Sequence, residues 1–300
     1  MRNAGYDAGW LRARRLAGPV VSVGNQSAGG SGKTPFVILL GELLKQRGVN
    51  FDVLSRGYGR RTRGVLEVVP EGAAAKFGDE PLLIVRRLGV PVVVGEDRFE
   101  AGRFAESKFG AQMHLLDDGF QHRGLARDFD IVMLAEGDLQ DELLPGGRLR
   151  EPLAGLRRAN AVVLDGGMQA PLEAEGKLLW RVNREIELVG LPARPVVFCG
   201  IARPERFAEQ LRRQGVEPAA ERRFKDHHAY SEEDVESLLA LKKKSGGGGF
   251  VTTEKDEINL GGFKSILEPL AVARVKMELE NASEAVDRML EAVAKGRTSS

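Results

Sequence analysis

The chain has 300 residues, with 44 Lys and Arg against 43 Asp and Glu, 42% hydrophobic residues and a single cysteine. This is the composition of one large or two ordinary soluble domains, at about 100–200 residues per domain. A net charge of +1 excludes a general attraction to nucleic acid, the lone Cys199 excludes an internal disulfide and fits a reducing compartment, and no apolar run approaches the roughly 18–20 residues of a membrane span.

The chain begins basic. Arg2, Arg12, Arg14 and Arg15 stand against Asp7, with Tyr6, Trp10, Leu11 and Leu16 interleaved. Such a segment can lie on an anionic membrane surface or pack as an ordinary first helix. It lacks the apolar stretch of a signal peptide.

Residues 19–23 are apolar and β-branched, the pattern of a buried strand. Then comes Gly24-Asn25-Gln26-Ser27-Ala28-Gly29-Gly30-Ser31-Gly32-Lys33-Thr34, and residues 35–45 read as a helix with Pro35 in its first turn. Strand, glycine-rich loop, and helix opening on Gly-Lys-Thr make a phosphate-cradling loop. Backbone N–H groups of Gly29, Gly30, Ser31 and Gly32 can converge on phosphate oxygens with little side chain in the way. The helix N-terminus adds partial positive charge. Lys33 is placed to reach the β- and γ-phosphates and the Thr34 hydroxyl to hold Mg²⁺. The general motif puts glycine where this chain has Ser27; Gly24, Gly29 and Gly30 are the alternative sources of freedom. A ligand-free glycine turn is the competing reading, and the strand–helix context weighs against it.

Residues 50–55 read as a second strand, running into a glycine-rich loop that carries Arg56, Arg60, Arg61 and Arg63. The end of a strand in an open α/β sheet is where ligands bind, so this loop is either a phosphate clamp or a solvated basic turn. Residues 65–69 look like a short strand. Phe77-Gly78-Asp79-Glu80-Pro81 opens a helix through residue 88, where Asp79 and Glu80 also suit the helix dipole. Residues 91–94 form another strand and residues 99–109 a helix. The apolar strand from residue 113 ends in Asp117-Asp118-Gly119-Phe120-Gln121-His122. Mg²⁺ needs a hard oxygen ligand near the γ-phosphate, and adjacent strand residues face opposite ways. One aspartate therefore sits near the metal and the other orients a neighbour. Residues 130–134 and 161–164 are further strands, with residues 145–152 in a loop and helix between them. This alternation predicts a doubly wound, mostly parallel sheet of the P-loop NTPase kind.

The pattern changes after Gly166-Gly167. Residues 178–189 look extended, residues 195–199 form a strand that buries Cys199, and residues 204–214 form a helix. A loop over residues 226–230 carries His227 and His228, Ser231 caps the next helix, and residues 242–249 form a flexible, solvated turn. Residues 250–256 are a strand and its exit loop. The last helix places Ala285, Met289, Leu290 and Val293 on one face, and its end should fray. The expected organisation is a nucleotide-binding domain over residues 1–170, an extended connector over 171–190, and a smaller α/β domain over 191–300.

The chemistry narrows by elimination. Thr253-Glu254-Lys255-Asp256 has the letters of a guanine-reading motif in the wrong register, which rejects a GTPase. Ser27-Ala28 stands where partitioning ATPases carry a second lysine. A small-molecule kinase remains.

At this point the residues resemble a known family, the tetraacyldisaccharide 4′-kinases. The resemblance is carried by residues 23–35 of the loop, Ser55-Arg56-Gly57-Tyr58-Gly59-Arg60, Gly78-Asp79-Glu80-Pro81, Asp117-Asp118-Gly119-Phe120-Gln121-His122, Arg150-Glu151, Asp226-His227-His228 and Thr252-Thr253-Glu254-Lys255-Asp256. These run in order over residues 6–256. The resemblance implies transfer of the ATP γ-phosphate to the 4′-hydroxyl of a tetraacylated glucosamine disaccharide 1-phosphate, giving lipid IVA, with Mg²⁺ as cofactor. It also implies a peripheral enzyme on the cytoplasmic face of the inner membrane; a monomer is the separate expectation. By the same resemblance Asp79 is the base on the sugar hydroxyl with His227 paired to it, domain closure assembling the two. Lys33 and Asp118 act on the phosphate, and Asp117, Asp118 and Thr34 form the metal site. Arg56, Arg98, Gln121 and His122 meet substrate or phosphate, and Arg150 and Glu151 face the adenine. The alternatives are a P-loop kinase for another sugar or cofactor, or an ATP-gated binding protein.

Overall fold

The computed structural model describes residues 5, 6, 8–30 and 32–298. The first half runs β1 (Val20–Asn25), α1 (Lys33–Gln46), β2 (Phe51–Ser55), β3 (Leu66–Glu67), α2 (Ala74–Phe77), α3 (Asp79–Leu88), β4 (Val92–Val94), α4 (Arg98–Phe109), β5 (Met113–Asp117), β6 (Phe129–Leu134) and β7 (Ala161–Asp165). The second half adds β8 (Leu178–Glu187), β9 (Val196–Cys199), α5 (Pro204–Arg213), β10 (Ala220–Arg223), α6 (Glu232–Ser245), β11 (Phe250–Thr253), α7 (Glu254–Leu260), β12 (Leu270–Leu279) and α8 (Ala282–Thr298).

Among the described residues all twelve strands join one sheet, in the order β10-β9-β11-β12-β8-β7-β6-β1-β5-β2-β4-β3. From β4 to β8 the neighbours are parallel. The expected doubly wound sheet is present. β1, β5 and β6 are buried along their whole length, as strands covered on both faces must be. Val21 and Val23 turn to one face, against Phe36 of α1, Leu82 of α3 and Val286 of α8. Val20 and Leu116 turn to the other, against Ala101 and Ala105 of α4 and the Leu16 side chain.

The join between the halves positions the site. β8 pairs in parallel with β7 through Val182, then continues past the end of β7 and pairs antiparallel with β12, from Val182↔Leu279 to Glu187↔Arg274. Beyond that point β12 pairs in parallel with β11, Thr253 lying opposite Ala273. The second half is therefore inverted relative to the first. The C-terminal ends of β11 and β9 point back at the C-terminal ends of β1, β2 and β5, so two ligand-binding edges face each other. The chain then returns: α8 packs on the first half, and Arg297 donates to the carbonyls of Leu16, Ala17 and Gly18 and pairs with Asp128.

Far from that edge, at the starts of β2 and β5, Asp52 and His114 are fully buried. His114 Nδ1 lies 2.9 Å from Asp52 Oδ1, and its Nε2 lies 3.4 Å from Glu106. Burial pushes the imidazole down, but Asp52 and Glu106 outweigh it and hold His114 above its ordinary value.

Four expectations differ from the structure. Residues 254–256 are not an exit loop but the first turn of α7, capped by the Thr253 side chain, which accepts from Asp256 N. Residues 8–18 are turn and irregular chain rather than a helix. Arg14 is pinned by Asp97 and Glu100, and Arg15 by Asp128; Met1–Ala4 and Asp7 lie outside the described residues. Between β6 and β7 the connection holds only 3₁₀ turns, Glu136–Asp138 and Leu153–Arg158. Residues 242–245 are not a loose turn but the last turn of α6, which ends at Gly246 in the left-handed region. Three lysines suit a helix C-terminus, and glycine supplies the positive φ that closes it.

Candidate active site

The facing edges enclose a cleft of about 1010 Å³. Its floor comes from one face of the β8–β12 ribbon, with Val182, Arg184 and Ile186 alternating on β8 and Ala273, Val275 and Met277 on β12, the period of two that a strand imposes. Leu83, Ile201 and Phe207 add to this apolar wall.

The phosphate loop lies on the first-half side. Gly29, Gly30 and Gly32 all have positive φ, and Gly32 (φ 83°) caps α1. Ser27 explains why the general motif is broken here. It is fully buried and bridges Leu149 in extended pairing, so that position needs no glycine. The loop is pinned from outside: Ala28 N donates to Arg148 O at 2.7 Å, and Arg150 N to Gln26 O at 2.7 Å. Lys33 Nζ donates to Asn25 Oδ1 at 2.9 Å and sits 3.5 Å from Asp118. Thr34 lies beside it, 3% exposed.

The two aspartates at the end of β5 sit in different surroundings. Asp117 ends the strand, fully enclosed. Ser55 Oγ donates to its Oδ2 at 3.1 Å, while its Oδ1 is buried without a hydrogen-bond partner among the described residues. Burial, then Glu80 and Asp118, push its carboxyl up to about 7. Asp118 has left the strand (φ 51°) and meets Lys33 and Arg150. Burial raises it, but those two cations outweigh the cost and hold it below the ordinary value. An orphaned carboxylate oxygen and a buried threonine lining the same cleft fit a Mg²⁺ ion that takes one or two carboxylates and completes its shell with phosphates and water. Among the described residues no group of three or more His, Cys, Asp or Glu is arranged to hold a metal, and Mg²⁺ does not need one.

Across the cleft, His227 Nδ1 lies 2.8 and 3.0 Å from the two carboxylate oxygens of Asp79. Asp79 opens α3 directly after Gly78, whose φ of 90° lets Tyr58 O and Gly57 pack where a Cβ would stand. Glu80 N and Asn259 Nδ2 also donate to Asp79. Burial raises Asp79, but His227, Lys255 and the Glu80 amide together hold it below the ordinary carboxylate value. The hydrogen bond to Asp79 is the main reason His227 is held above 6.5. The imidazole is the cleft-facing member of the pair; Asp79 stands behind it, 4% exposed.

Gly29, Gly30, Gly32, Lys33, Thr34, Arg56, Asp117, Asp118, Gln121, Arg150 and His227 all line the one cleft. Ser31 lies outside the described residues. Gln121 Nε2 donates to Asn25 O at 2.7 Å and to Glu151 at 2.9 Å. Glu151 is buried beneath it, paired with Arg158, and is not a lining residue. Arg98 is 4% exposed beneath the cleft, donating to Gly95 O and Glu96 O, with burial and the neighbouring Arg56 pulling it down to about 10. His122 sits behind Gln121, its carbonyl accepting from Arg127. Ser55, Glu80 and Lys255 fall inside the quoted motifs without a site role of their own, and Arg184 and Arg203 fall in none of them. Lys255 and Glu80 form an ion pair across the cleft, and only the inverted topology brings them together. A helix-opening Glu next to Asp79 was the available signal.

A phosphate loop and a carboxylate–imidazole pair at one cleft, with a buried carboxylate lining it beyond the loop, define a P-loop phosphotransferase. Comparison with known proteins narrows the class. The family model described as LpxK, tetraacyldisaccharide-1-P 4′-kinase, matches residues 1–295, and the chain belongs to that family. It is 50% identical over 305 residues to a tetraacyldisaccharide 4′-kinase from Koribacter versatilis, covering 97% of this chain and 94% of the relative. It is 39% identical to the protein of the same name from Aquifex aeolicus, covering 93% and 90%. The crystal structure of "apo" form LpxK from Aquifex aeolicus in complex with ATP superposes with a TM-score of 0.78 at 35% identity, over 97% of this chain and 94% of that one.

Proposed function

We infer that the chain transfers the γ-phosphate of ATP to the 4′-hydroxyl of a tetraacylated glucosamine disaccharide 1-phosphate, forming lipid IVA. The observation that carries this is the Asp79–His227 pair, held across one cleft from the loop that opens on Lys33 and Thr34. A placed base is worth about 10²–10⁴-fold to an attacking hydroxyl. Asp79, buried against His227 in this structure, takes the hydroxyl proton once the acceptor enters beside the imidazole, and His227 orients its carboxylate and shares the charge. Lys33 and the loop amides hold the β- and γ-phosphates. Thr34, Asp117 and Asp118 are the residues to hold Mg²⁺, which when bound neutralises charge developing on the transferred phosphate. Arg56, Arg98, Gln121 and His122 serve the substrate side, and Arg150 and Glu151 the adenine side. The apolar ribbon floor suits an acylated acceptor better than a bare sugar.

The functional division is a nucleotide-binding unit over residues 1–170, a connecting segment over 171–190 and a second unit over 191–300. Loop and dyad come from one chain, which supports a monomer. Among the described residues no helix is long and apolar enough to cross a membrane. Trp10 is 83% exposed with Leu11, Arg12 and Arg15 beside it, which supports peripheral attachment to the cytoplasmic face of the inner membrane.

The test is an assay of purified protein with Mg²⁺-ATP and the acylated disaccharide in detergent. A 4′-phosphorylated lipid, formed only with the acylated acceptor, is expected. Equal phosphorylation of an unacylated sugar, or ATP loss indifferent to lipid, overturns the assignment.

A further inference from the structure

The second half carries a cluster of cations that the dyad does not use. Arg184 of β8, with Arg203 and Arg206 at the opening of α5, lines the cleft on the phosphate-loop side. Asp165 lies 2.9 Å from Arg184, and Asp138 within 3.7 Å of Arg203. Arg203 Nε and Nη2 are buried and have no hydrogen-bond partner among the described residues. Burial, then Arg206 and Arg148, hold Arg203 below its ordinary value. A buried guanidinium with unmade hydrogen bonds costs free energy, and like charges at its side add to that cost.

Arg203 and Arg184 approach the loop closely. A Cβ at Gly30 would stand 2.9 Å from Arg203 Cγ and 3.2 Å from its Nε, and one at Gly32 would stand 2.5 Å from Arg184 Nη1. A Cβ at Gly29 would stand 3.2 Å from Ala202 Cβ. The opening turn of α5 therefore lies against the glycines that cradle phosphate, and its planar N–H donors suit phosphate oxygens.

We propose that Arg203, with Arg206 beside it, is the contact that the second half supplies to the phosphates of the nucleotide seated in the loop. This rests on the kinase assignment above. The acceptor also carries a phosphate, so the shared chemistry is a phosphate anion. Contact with Gly29 and Gly30, rather than with the dyad, favours the nucleotide. An arginine added to a transferring phosphate from outside its loop supplies charge where it develops.

The experiment is calorimetric titration of the full chain with Mg²⁺-ATP, ADP and AMP, for wild type, Arg203→Ala and Arg203→Lys, alongside steady-state kinetics for ATP and acceptor. Arg203→Ala is expected to lose tenfold or more in ATP affinity, less for ADP and nothing for AMP. Its kcat/KM for ATP is expected to fall with the acceptor KM unchanged, and Arg203→Lys to recover part of the loss. Uniform weakening of all three nucleotides, a loss confined to acceptor KM, or no change overturns the proposal. Should Arg203→Ala fail to fold by circular dichroism, the ATP-to-AMP comparison for Arg203→Lys decides. If wild type phosphorylates no acylated disaccharide, the kinase assignment fails, while the nucleotide titrations still judge Arg203.

Discussion

Lys255, in the first turn of α7, is ion-paired with Glu80, in the first turn of α3, across the cleft between the two halves. The neighbouring residue on α3 is Asp79, paired with His227 of the second half. Two consecutive acids on one helix thus each engage a cation from the opposite half. Burial lowers Lys255, but Glu80 and Asp79 outweigh it and hold the ammonium above its ordinary value.

Removing one partner of that bridge should destabilise the protein. Lys255→Met leaves Glu80 without its cation. Each side chain keeps about a quarter of its exposure, so the expected cost is about 1–3 kcal/mol rather than that of a fully buried pair. Denaturant unfolding of Lys255→Met, Glu80→Gln and the double variant checks it. The double variant should lose less than the sum of the singles.

Asp79→Ala is expected to lower kcat by about 10²–10⁴-fold with ATP affinity kept. Near-normal turnover would remove Asp79 as the base.

The dyad sets a pH window. Asp79 is held below 3.8 and His227 above 6.5, so across the range between them the pair is a carboxylate with an imidazolium. The rate should fall as pH drops through the lowered Asp79 value, and fall again as pH rises through the raised His227 value. His227→Gln should abolish the alkaline limb. It should also move the acid limb upward, because only Lys255 and the Glu80 amide are then left to oppose the burial of Asp79. The stability that His227 gains from Asp79 is fully present below 6.5 and is lost as pH rises through its folded value. The stability gap between wild type and His227→Gln should therefore narrow in alkali.

Lys33→Ala is expected to weaken ATP binding by about tenfold or more, a loss of about 1.4 kcal/mol or greater, with acceptor KM unchanged. Calorimetry with Mg²⁺-ATP reads the first, steady-state kinetics the second.

His114→Ala is a control at the opposite end of the strands. It strands the fully buried Asp52, at an expected cost of about 3–5 kcal/mol. Turnover per folded molecule should stay within about twofold, because neither residue reaches the cleft.

Local patterns were legible where one stretch carries its own signal. The apolar run before Gly24 and the Gly-Lys-Thr after it announced β1, the loop and α1, and Asp117-Asp118 announced the end of β5. Boundaries drifted where the signal was compositional. The three lysines over residues 242–244 looked like solvated turn, yet they end a helix, because cations at a C-terminus and Gly246 behind them are capping chemistry. Long-range pairings were hidden. Nothing near Glu80 marks Lys255, 175 residues away, and nothing near Gly30 marks Arg203. The resemblance paired His227 with Asp79; the physical reason they meet is the antiparallel step from β8 to β12, which inverts everything after it.

That step also decides how the molecule can flex. A single strand between two bodies would be a swivel. Here the chain crosses upward in β8 and downward in β12, hydrogen-bonded from Val182–Leu279 to Glu187–Arg274, and α8 then anchors the returning end on the far body. Any change in the gap between the opposed edges must be absorbed as torsion of that short ladder, so the jaws work like a leaf spring.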